Sequence, residues 1–188
     1  RVEPHKNPYT DQQCDYEPSY WKFDLAHTFH TDVLQIRGHL AVPYPDPPEG
    51  EKPLQDELNA ARDGVARSIA ESIRLAACEL VSIPEGEMSS TFRWLPGGGL
   101  ELVLYDNVPG GAGYTSKVAD YQASDLVRYA IESVLTCSAG CSTSCSKCLR
   151  SFSNQAYWDE FRRKEAMQWL KRLLKVKRDD PKELGGEE

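Results

Sequence analysis

The pattern of apolar and polar positions predicts a strand followed by a long helix in the first half of the chain. Apolar and polar residues alternate over 29–42, which is typical of a half-buried strand, with a bulge expected near Gly38. A proline-rich loop ends this strand. Over 54–83, apolar side chains recur every three or four positions and form one stripe along a helix of roughly 40 Å. We expect Pro53 in the first turn of this helix and Pro84 at its end.

Two strands and three further helices are expected in the second half of the chain. The segments MSSTFRWL and LELVLYDN are separated by PGGG, whose glycines allow a tight reversal, so they predict a β-hairpin. Helices are expected at 115–121 and at 125–135, the second with Ser124 as its N-cap. A last helix is expected over 156–176, and its buried side carries Trp158, Phe161, Trp169, Leu170, Leu173 and Leu174. Without regular βαβ alternation, this order predicts an α+β fold in which a small antiparallel or mixed sheet is packed by the long helix.

Length and composition set the expected domain limits and compartment. The 188 residues suffice for one domain, which we expect over 25–176, between an N-terminal arm at 1–24 and a frayed acidic tail at 177–188. The sequence shows neither an apolar run long enough to cross a bilayer nor a secretory signal, so we expect a cytoplasmic protein without membrane contact. The first residue is Arg1 rather than Met, which favours a piece of a longer polypeptide.

The charge balance argues against a domain whose main task is to coat nucleic acid. There are 22 Lys and Arg residues against 29 Asp and Glu residues, which gives a formal net charge of −7, whereas affinity for nucleic acid comes chiefly from Lys and Arg. The segment 161–178 is an exception, because it is dominated by Lys and Arg and contains Glu165 as its one acidic residue. One face of this segment could meet phosphate. The alternative is a solvated amphipathic helix, since charge runs are usually exposed surface.

Four of the six cysteines lie within the segment CSAGCSTSCSKC, at Cys137, Cys141, Cys145 and Cys148. Four soft thiolates at the spacing C-x3-C-x3-C-x2-C suit tetrahedral zinc, and the last pair has the spacing of a zinc knuckle. An iron–sulfur cluster, a redox dithiol formed by the last pair, and a chance cluster are the alternatives. Lys147 and Arg150 would offset part of the −2 charge of a four-thiolate zinc centre. Since four protein ligands leave no open position, we expect the metal to hold the structure together and to perform no catalysis.

The predicted zinc knuckle, 137–148, joins the helix ending near Leu135 to the basic last helix, so we expect it to fix the angle between them. The two other cysteines are isolated. Cys78 lies beside the apolar stripe of the long helix and is expected to be a core thiol, and Cys14 has no evident activating base beside it.

A glycine-rich turn follows the second strand of the hairpin and precedes a helix. Its candidate residues are Asp106, Asn107, Gly110, Gly111 and Gly113. This order can cradle a phosphate when backbone amides converge at a helix N-terminus, but the turn lacks the lysine of a P-loop and the G-x-G-x-x-G spacing. We therefore prefer a structural role, in which the glycines allow helix and strand to approach closely, and contact with a phosphate or a partner is the alternative. A second metal site at His27 and His30 is not expected, because strand positions three apart point to opposite faces.

Taken together, these motifs resemble a known family. The segments VLYDNVPGGAGYTSKV and SCSKCLRSFSNQAYWDEFRRKEAMQWL, with the cysteine cluster between them, are similar to the zinc-binding domain at the C-terminus of MrfA-like DEAD/DEAH-box helicases, the MZB family. The similarity covers roughly 100–174. The NQ segment and the basic helix that follows it are especially similar to versions in helicase-associated proteins of bacterial anti-phage systems such as DISARM.

The resemblance implies an accessory domain of an ATP-dependent DNA helicase or translocase assembly, with the four clustered cysteines as ligands of Zn²⁺. The sequence contains neither a Walker A lysine motif nor a DEAD/DEAH box, so the ATPase would belong to a helicase core elsewhere in the polypeptide or on a partner chain. DNA would be met through the assembly. Candidate contacts to DNA or to a partner are Arg150, Arg162, Arg163, Lys171 and Arg172. The alternative is an enzyme, a nuclease or phosphotransferase, that uses the turn at 106–113.

Overall fold

A computed structural model describes residues 6, 9, 10, 12, 28–46 and 52–179. Most of the expected N-terminal arm lies outside this part of the chain, as do Cys14, His27 and residues 180–188. Its centre is a three-stranded antiparallel sheet of β1 (Val33–Gly38), β2 (Met88–Trp94) and β3 (Leu100–Asp106), in the order β1-β3-β2. The α+β prediction with a small antiparallel sheet is confirmed.

The β-hairpin forms as the sequence predicts. Strands β2 and β3 pair from Met88 opposite Asp106 to Trp94 opposite Leu100. At the turn, the Leu95 amide donates to the Gly99 carbonyl at 2.8 Å, and Gly97 adopts the left-handed conformation with φ of 77°. Glycine adopts this conformation without steric strain because it has no Cβ.

Strand β1 is shorter than the alternation over 29–42 predicts, and it ends at Gly38 without the expected bulge. The reason is that side chains bind the backbone beyond it. Trp169 donates its indole N–H to the carbonyls of Leu40 and Ala41 at 3.3 Å each, and Arg62 donates to the Val42 carbonyl at 2.9 Å. These carbonyls are therefore satisfied without a neighbouring strand.

The long helix α1, Gln55–Leu80, covers one face of the sheet with its apolar stripe. Its N-cap is Leu54, whose amide donates to the Glu57 carboxylate at 2.8 Å, so Pro53 lies before the helix rather than in its first turn. Its end also falls earlier than Pro84 implies. Ser82 adopts a positive φ of 56°, which stops the helical path.

Two helices and a π-helical turn follow the sheet. They are α2 (Tyr114–Ala119), α3 (Ala123–Tyr129) and the π turn Ala130–Leu135 that continues α3. The N-cap of α3 is Gln122, not Ser124 as predicted, because the chain already turns helical at Ala123. Leu126, Ala130 and Leu135 are buried in the common core with α1.

The last helix, α4 (Arg163–Asp179), begins seven residues later than the predicted start at 156 and ends beyond the predicted boundary at 176. Residues Phe152–Tyr157 form a 3-10 helix instead, and Phe161 is buried before α4 begins. Within α4, Trp169 and Leu170 are buried as expected. Among the described residues, we find no helix with both the length and the apolar character that a bilayer-spanning helix requires.

Candidate metal centre

The four clustered cysteines lie in a loop that connects the π turn to the segment before α4. The π turn ends at Thr136, whose amide and hydroxyl both donate to the Ile131 carbonyl, at 2.9 and 2.7 Å. Cys137 follows at once. The four side chains are partly buried, so the loop turns its sulfur atoms inward while much of its backbone faces solvent.

The four sulfur atoms all lie within 4.8 Å of one another. The Sγ–Sγ distance is 3.6 Å between Cys137 and Cys145, 3.7 Å between Cys141 and Cys148, and 3.8 Å between Cys145 and Cys148. Four sulfurs at about 2.3 Å from a tetrahedral ion stand about 3.8 Å apart. The observed spacing therefore fits one four-coordinate metal ion.

The same sulfur–sulfur distances argue against the alternatives to a single metal ion. Disulfide sulfurs stand at about 2.05 Å, so none of these pairs is bonded. In a four-iron cluster each cysteine binds a different iron, which requires sulfurs farther apart than those around a single ion. A redox dithiol at Cys145 and Cys148 would leave the convergence of Cys137 and Cys141 on the same point unexplained.

The last pair has the backbone geometry of a knuckle. The Cys145 amide donates to the Cys148 sulfur at 3.2 Å, and the amides of Cys148 and Arg150 both donate to the Cys145 carbonyl. Gly140 reverses the first half of the loop with a positive φ of 61°. Amide bonds to sulfur stabilise the thiolate form, which is the form that binds metal.

The pKa values of the thiols differ within the cluster. Burial raises the pKa of Cys137, but the amide of Ala139 and the neighbouring thiols more than compensate and lower it to about 7. Burial raises the pKa of Cys148 to about 12, against the effect of the Cys145 amide. Of these two thiols, Cys137 is therefore the more readily ionised.

Comparison with known proteins identifies this region. Residues 69–149 match the family model described as MZB, the MrfA Zn-binding domain. This part of the chain is thus similar to the MZB family. The match runs from the middle of α1 to the residue after the last cysteine, so it includes the whole cluster and ends before α4. The resemblance to this family noted in the sequence is confirmed.

Two individual proteins are similar to the chain. The Druantia protein DruE of Escherichia coli (strain UMEA 4076-1) is 31% identical in an alignment that covers 90% of this chain and 10% of that protein. The chain thus spans about a tenth of the length of this relative. The crystal structure of the DUF1998 helicase MrfA bound to DNA superimposes with a TM-score of 0.45 and 16% identity, over 66% of this chain and 15% of that chain.

Arg163 does not lie where a surface contact to DNA would place it. The residue is 6% exposed, and its guanidinium donates to the Leu135 and Cys141 carbonyls at 2.5 Å each. Its backbone amide donates to the Thr143 carbonyl at 3.2 Å. The Arg163 side chain, predicted to contact DNA or a partner, is thus directed into the protein and against the cysteine loop.

Of the other predicted basic contacts, Arg150 and Arg162 are bound within the protein, whereas Lys171 and Arg172 are exposed. Arg150 donates to the Ser144 hydroxyl at 2.8 Å and lies over the Trp158 ring, and Arg162 is partly buried with its amide bound to the Ser68 hydroxyl at 2.7 Å. Within 163–175, the part of α4 whose side chains the structure describes, the exposed basic residues are Lys164, Lys171, Arg172 and Lys175. Two of these, Lys164 and Lys175, were absent from the predicted set, because the helix phase depends on where α4 begins.

The glycine-rich turn is already filled by a carboxylate. Asp106 is fully buried, and it accepts the amides of Ala112, Tyr114 and Thr115 at 2.9–3.0 Å. Burial raises the pKa of Asp106, but these three amides outweigh it and hold the pKa below its ordinary value. Asp32 likewise accepts the Gly113 amide at 3.2 Å.

The amides that a phosphate would need are therefore donated within the protein. The remaining candidates of the turn have structural contacts of the same kind: Asn107 donates to the Gly86 carbonyl at 2.6 Å, and the Gly110 amide donates to the His30 carbonyl at 2.7 Å. A Cβ at Gly111 would overlap the Asp32 carboxylate. The turn thus joins β3, the segment before β1 and α2, which is the close-packing role considered for its glycines.

Sequence reasoning missed one residue that connects the cysteine loop to α1. Asn154, in the NQ segment, donates to the Glu71 carboxylate at 2.9 Å and to the Leu149 carbonyl at 2.8 Å. It accepts the Ser151 amide and the Trp158 indole N–H at 2.9 and 3.0 Å. An available signal was the polar Glu71 inside the buried part of the α1 stripe, because a buried carboxylate needs partners.

Proposed function

We propose that Cys137, Cys141, Cys145 and Cys148 bind one Zn²⁺ and that this zinc stabilises a domain without catalytic activity of its own. The convergence of the four sulfurs at tetrahedral spacing supports this most directly. Zinc has no redox chemistry, and four thiolates leave it no open position for a reactive water. We propose that the domain runs over residues 25–176.

Metal analysis of the purified 188-residue chain tests the first part. We expect one zinc per chain, together with loss of metal in Cys145→Ser and retention of metal in Ser146→Ala, which changes an exposed neighbour. One iron per chain would retain the site and overturn the zinc assignment, since a single iron ion accepts the same four-sulfur geometry. A folded chain without metal would contradict the proposal as a whole.

We further propose that the domain is an accessory part of an ATP-dependent DNA helicase or translocase assembly and positions DNA there. The match to the MrfA Zn-binding family supports the association with a helicase. The exposed face of α4 supports the contact with DNA: Lys164, Lys171 and Lys175 recur at helical spacing, with Arg172 beside them. This stripe extends roughly 16 Å along the helix, enough for several phosphates.

Fluorescence anisotropy with labelled DNA tests this contact. A variant with Lys171→Glu and Arg172→Glu should bind at least tenfold more weakly and should show a smaller dependence of affinity on salt, by about one slope unit for each phosphate that is no longer neutralised. Lys117→Glu is the matched control, because Lys117 is exposed on α2, away from the stripe. Equal affinity of all three proteins for DNA would exclude α4 as the contact and leave docking of a partner subunit as its role.

The parent assembly is, we propose, one of bacterial anti-phage defence. The NQ segment and the basic helix resemble helicase-associated proteins of such systems, and this resemblance supports the proposal. The similarity to the Druantia protein DruE supports it as well, although this chain spans only about a tenth of that protein. Phage plaque assays in cells that carry the complete native locus test it: Cys145→Ser should lose protection, whereas Ser146→Ala should keep it.

The enzyme alternative at 106–113 receives no support from the structure's contacts. Asp106 is buried, and its carboxylate accepts three backbone amides of the turn, so both of its oxygens are already occupied within the protein. A nuclease assay of the purified chain with and without Asp106→Asn addresses this alternative directly. Cleavage of DNA that requires Asp106 in a folded protein would restore it.

A further inference from the structure

A buried guanidinium without a carboxylate partner lies against the cysteine loop. Arg163 is 6% exposed, and among the described residues no Asp or Glu lies within ion-pair distance of it. Burial of an uncompensated charge is costly, so buried arginines are normally paired with an anion. Backbone carbonyls satisfy two of its nitrogens, but they carry no net charge.

The atoms of Arg163 are arranged around the first half of the loop. Its Nη2 binds the carbonyl of Cys141, its Nη1 binds the carbonyl of Leu135, and its amide binds that of Thr143. The Nε atom is buried and has no hydrogen-bond partner among the described residues. Among the described residues, one donor of this cation is therefore unpaired, while another binds the carbonyl of a cysteine whose sulfur belongs to the cluster.

The charge of the loaded cluster agrees with this placement. Four thiolates around one divalent ion carry a net charge of −2, so the loaded cluster would supply the anion that Arg163 lacks. Lys147 is exposed and Arg150 is engaged with Ser144, so neither of these is buried against the loop as Arg163 is.

We propose that Arg163 is a positioning residue of the metal centre, which orients Cys141 and offsets the negative charge of the four thiolates. Because Arg163 is also the first residue of α4, the same side chain links the cysteine loop to the start of the basic helix. This inference rests on the proposed metal site, and it assigns to Arg163 a role that neither the spacing of the cysteines nor the family match contains.

The test is the metal affinity of the full chain, measured by competition with a chromogenic chelator for Zn²⁺ and by the thiolate-to-metal charge-transfer band of the Co²⁺ form. Arg163→Met keeps the apolar stem and removes the charge, and we expect it to weaken metal binding about 10- to 100-fold, as loss of a group that supports metal ligands typically does. Arg163→Lys keeps the charge but cannot hold two carbonyls in a fork, and we expect a loss of severalfold and a shifted Co²⁺ band.

Arg128→Met is the control, because Arg128 is an exposed arginine of α3 that pairs with Asp125 and is not part of the cysteine loop. We expect its metal affinity to stay within about threefold of the wild type. Wild-type affinity and an unshifted band in Arg163→Lys would overturn the inference even if Arg163→Met fails to fold. An equal loss in Arg128→Met would overturn it too, because the effect would then come from the loss of any cation. A wild-type chain that binds no metal would instead contradict the proposed metal site itself.

Discussion

Removal of the Asn154 side chain should destabilise the protein more than any change at its exposed neighbours. In Asn154→Ala, four hydrogen bonds of 2.8–3.0 Å disappear at a site that is 9% exposed. Each is worth roughly 1 kcal/mol net, and a buried group left unpaired costs roughly 1–3 kcal/mol. Two of the four partners keep another hydrogen bond: Glu71 retains Arg74, and Trp158 retains the Ser151 carbonyl.

The expected loss is therefore about 2–4 kcal/mol in the free energy of unfolding, which for a chain of this size lowers Tm by roughly 4–16 °C. Thermal unfolding followed by circular dichroism measures it, at the same metal content for each protein, since bound metal shifts apparent stability. Gln155→Ala is the matched control, because Gln155 is exposed in the same 3-10 helix. It should change Tm by no more than about 2 °C, corresponding to roughly 0.5 kcal/mol.

A second variant examines the electrostatic part of the same reasoning. Asn154→Asp would place a carboxylate against the Glu71 carboxylate, which now accepts the Asn154 amide at 2.9 Å. Two like charges in a buried site raise the pKa of one of them. The variant should therefore be less stable than Asn154→Ala at neutral pH and should recover as the pH falls and the new carboxyl is protonated. Stability of Asn154→Ala equal to that of Gln155→Ala would refute the assignment of Asn154 as a connecting residue.

Three further changes follow from other contacts of the fold. Gly64→Ala should cost about 1–3 kcal/mol, because the added Cβ overlaps the backbone carbonyl of Glu160, whereas Gly86→Ala, with open space around it, should stay within about 0.5 kcal/mol; urea unfolding compares the two. Cys145→Ser should lower bound metal and Tm together, and a loss of metal with unchanged Tm would show that the ion does not stabilise the fold. Asp106→Asn should lose about 2 kcal/mol, because asparagine keeps only one acceptor oxygen and its NH2 group then faces a backbone N–H donor where Asp106 offers a second oxygen. Since the pKa of the Asp106 carboxyl is lowered in the fold, its contribution is present above the unfolded value of about 3.9 and is lost as pH falls through the folded value. The wild-type advantage over Asp106→Asn should thus be constant above about pH 5 and shrink below about pH 4; an advantage that persists unchanged in acid would contradict this.

Local patterns were enough to predict the hairpin, the long helix and the cysteine cluster. The PGGG turn requires residues that tolerate positive φ, and Gly97 adopts it. The apolar repeat over 54–83 places Ile69 and Ile73 in the core. The spacing of the cysteines over 137–148 brings all four sulfurs together. In each case, residues close in the sequence determine the structure, so the sequence pattern carries the information.

The errors arose where contacts between distant residues outweigh the local pattern. The residues before α4 have helical composition, but their chain must pass Gly64 of α1, where the Glu160 carbonyl lies in contact with the helix. Burial of Arg163 depends on carbonyls more than 20 residues away in sequence, at Leu135 and Cys141. A basic residue in a charge run gives no sign of such partners. The turn at 106–113 resembles an anion-binding site because its backbone amides do bind an anion, which is the carboxylate of Asp106.

The direction of α4 is set from two sides at its first turn. On one side the Arg162 amide donates to the Ser68 hydroxyl of α1, and on the other the Arg163 guanidinium binds the end of the π turn and the cysteine loop. Two neighbouring residues thus bind two different parts of the core, and rotation of α4 about either contact is opposed by the other. Of these two contacts, only that of Arg163 involves the cysteine loop of the metal centre. The angle of the basic helix is therefore a joint property of α1 and the cysteine loop, and the exposed stripe on α4 is presented in a fixed orientation only while both contacts hold.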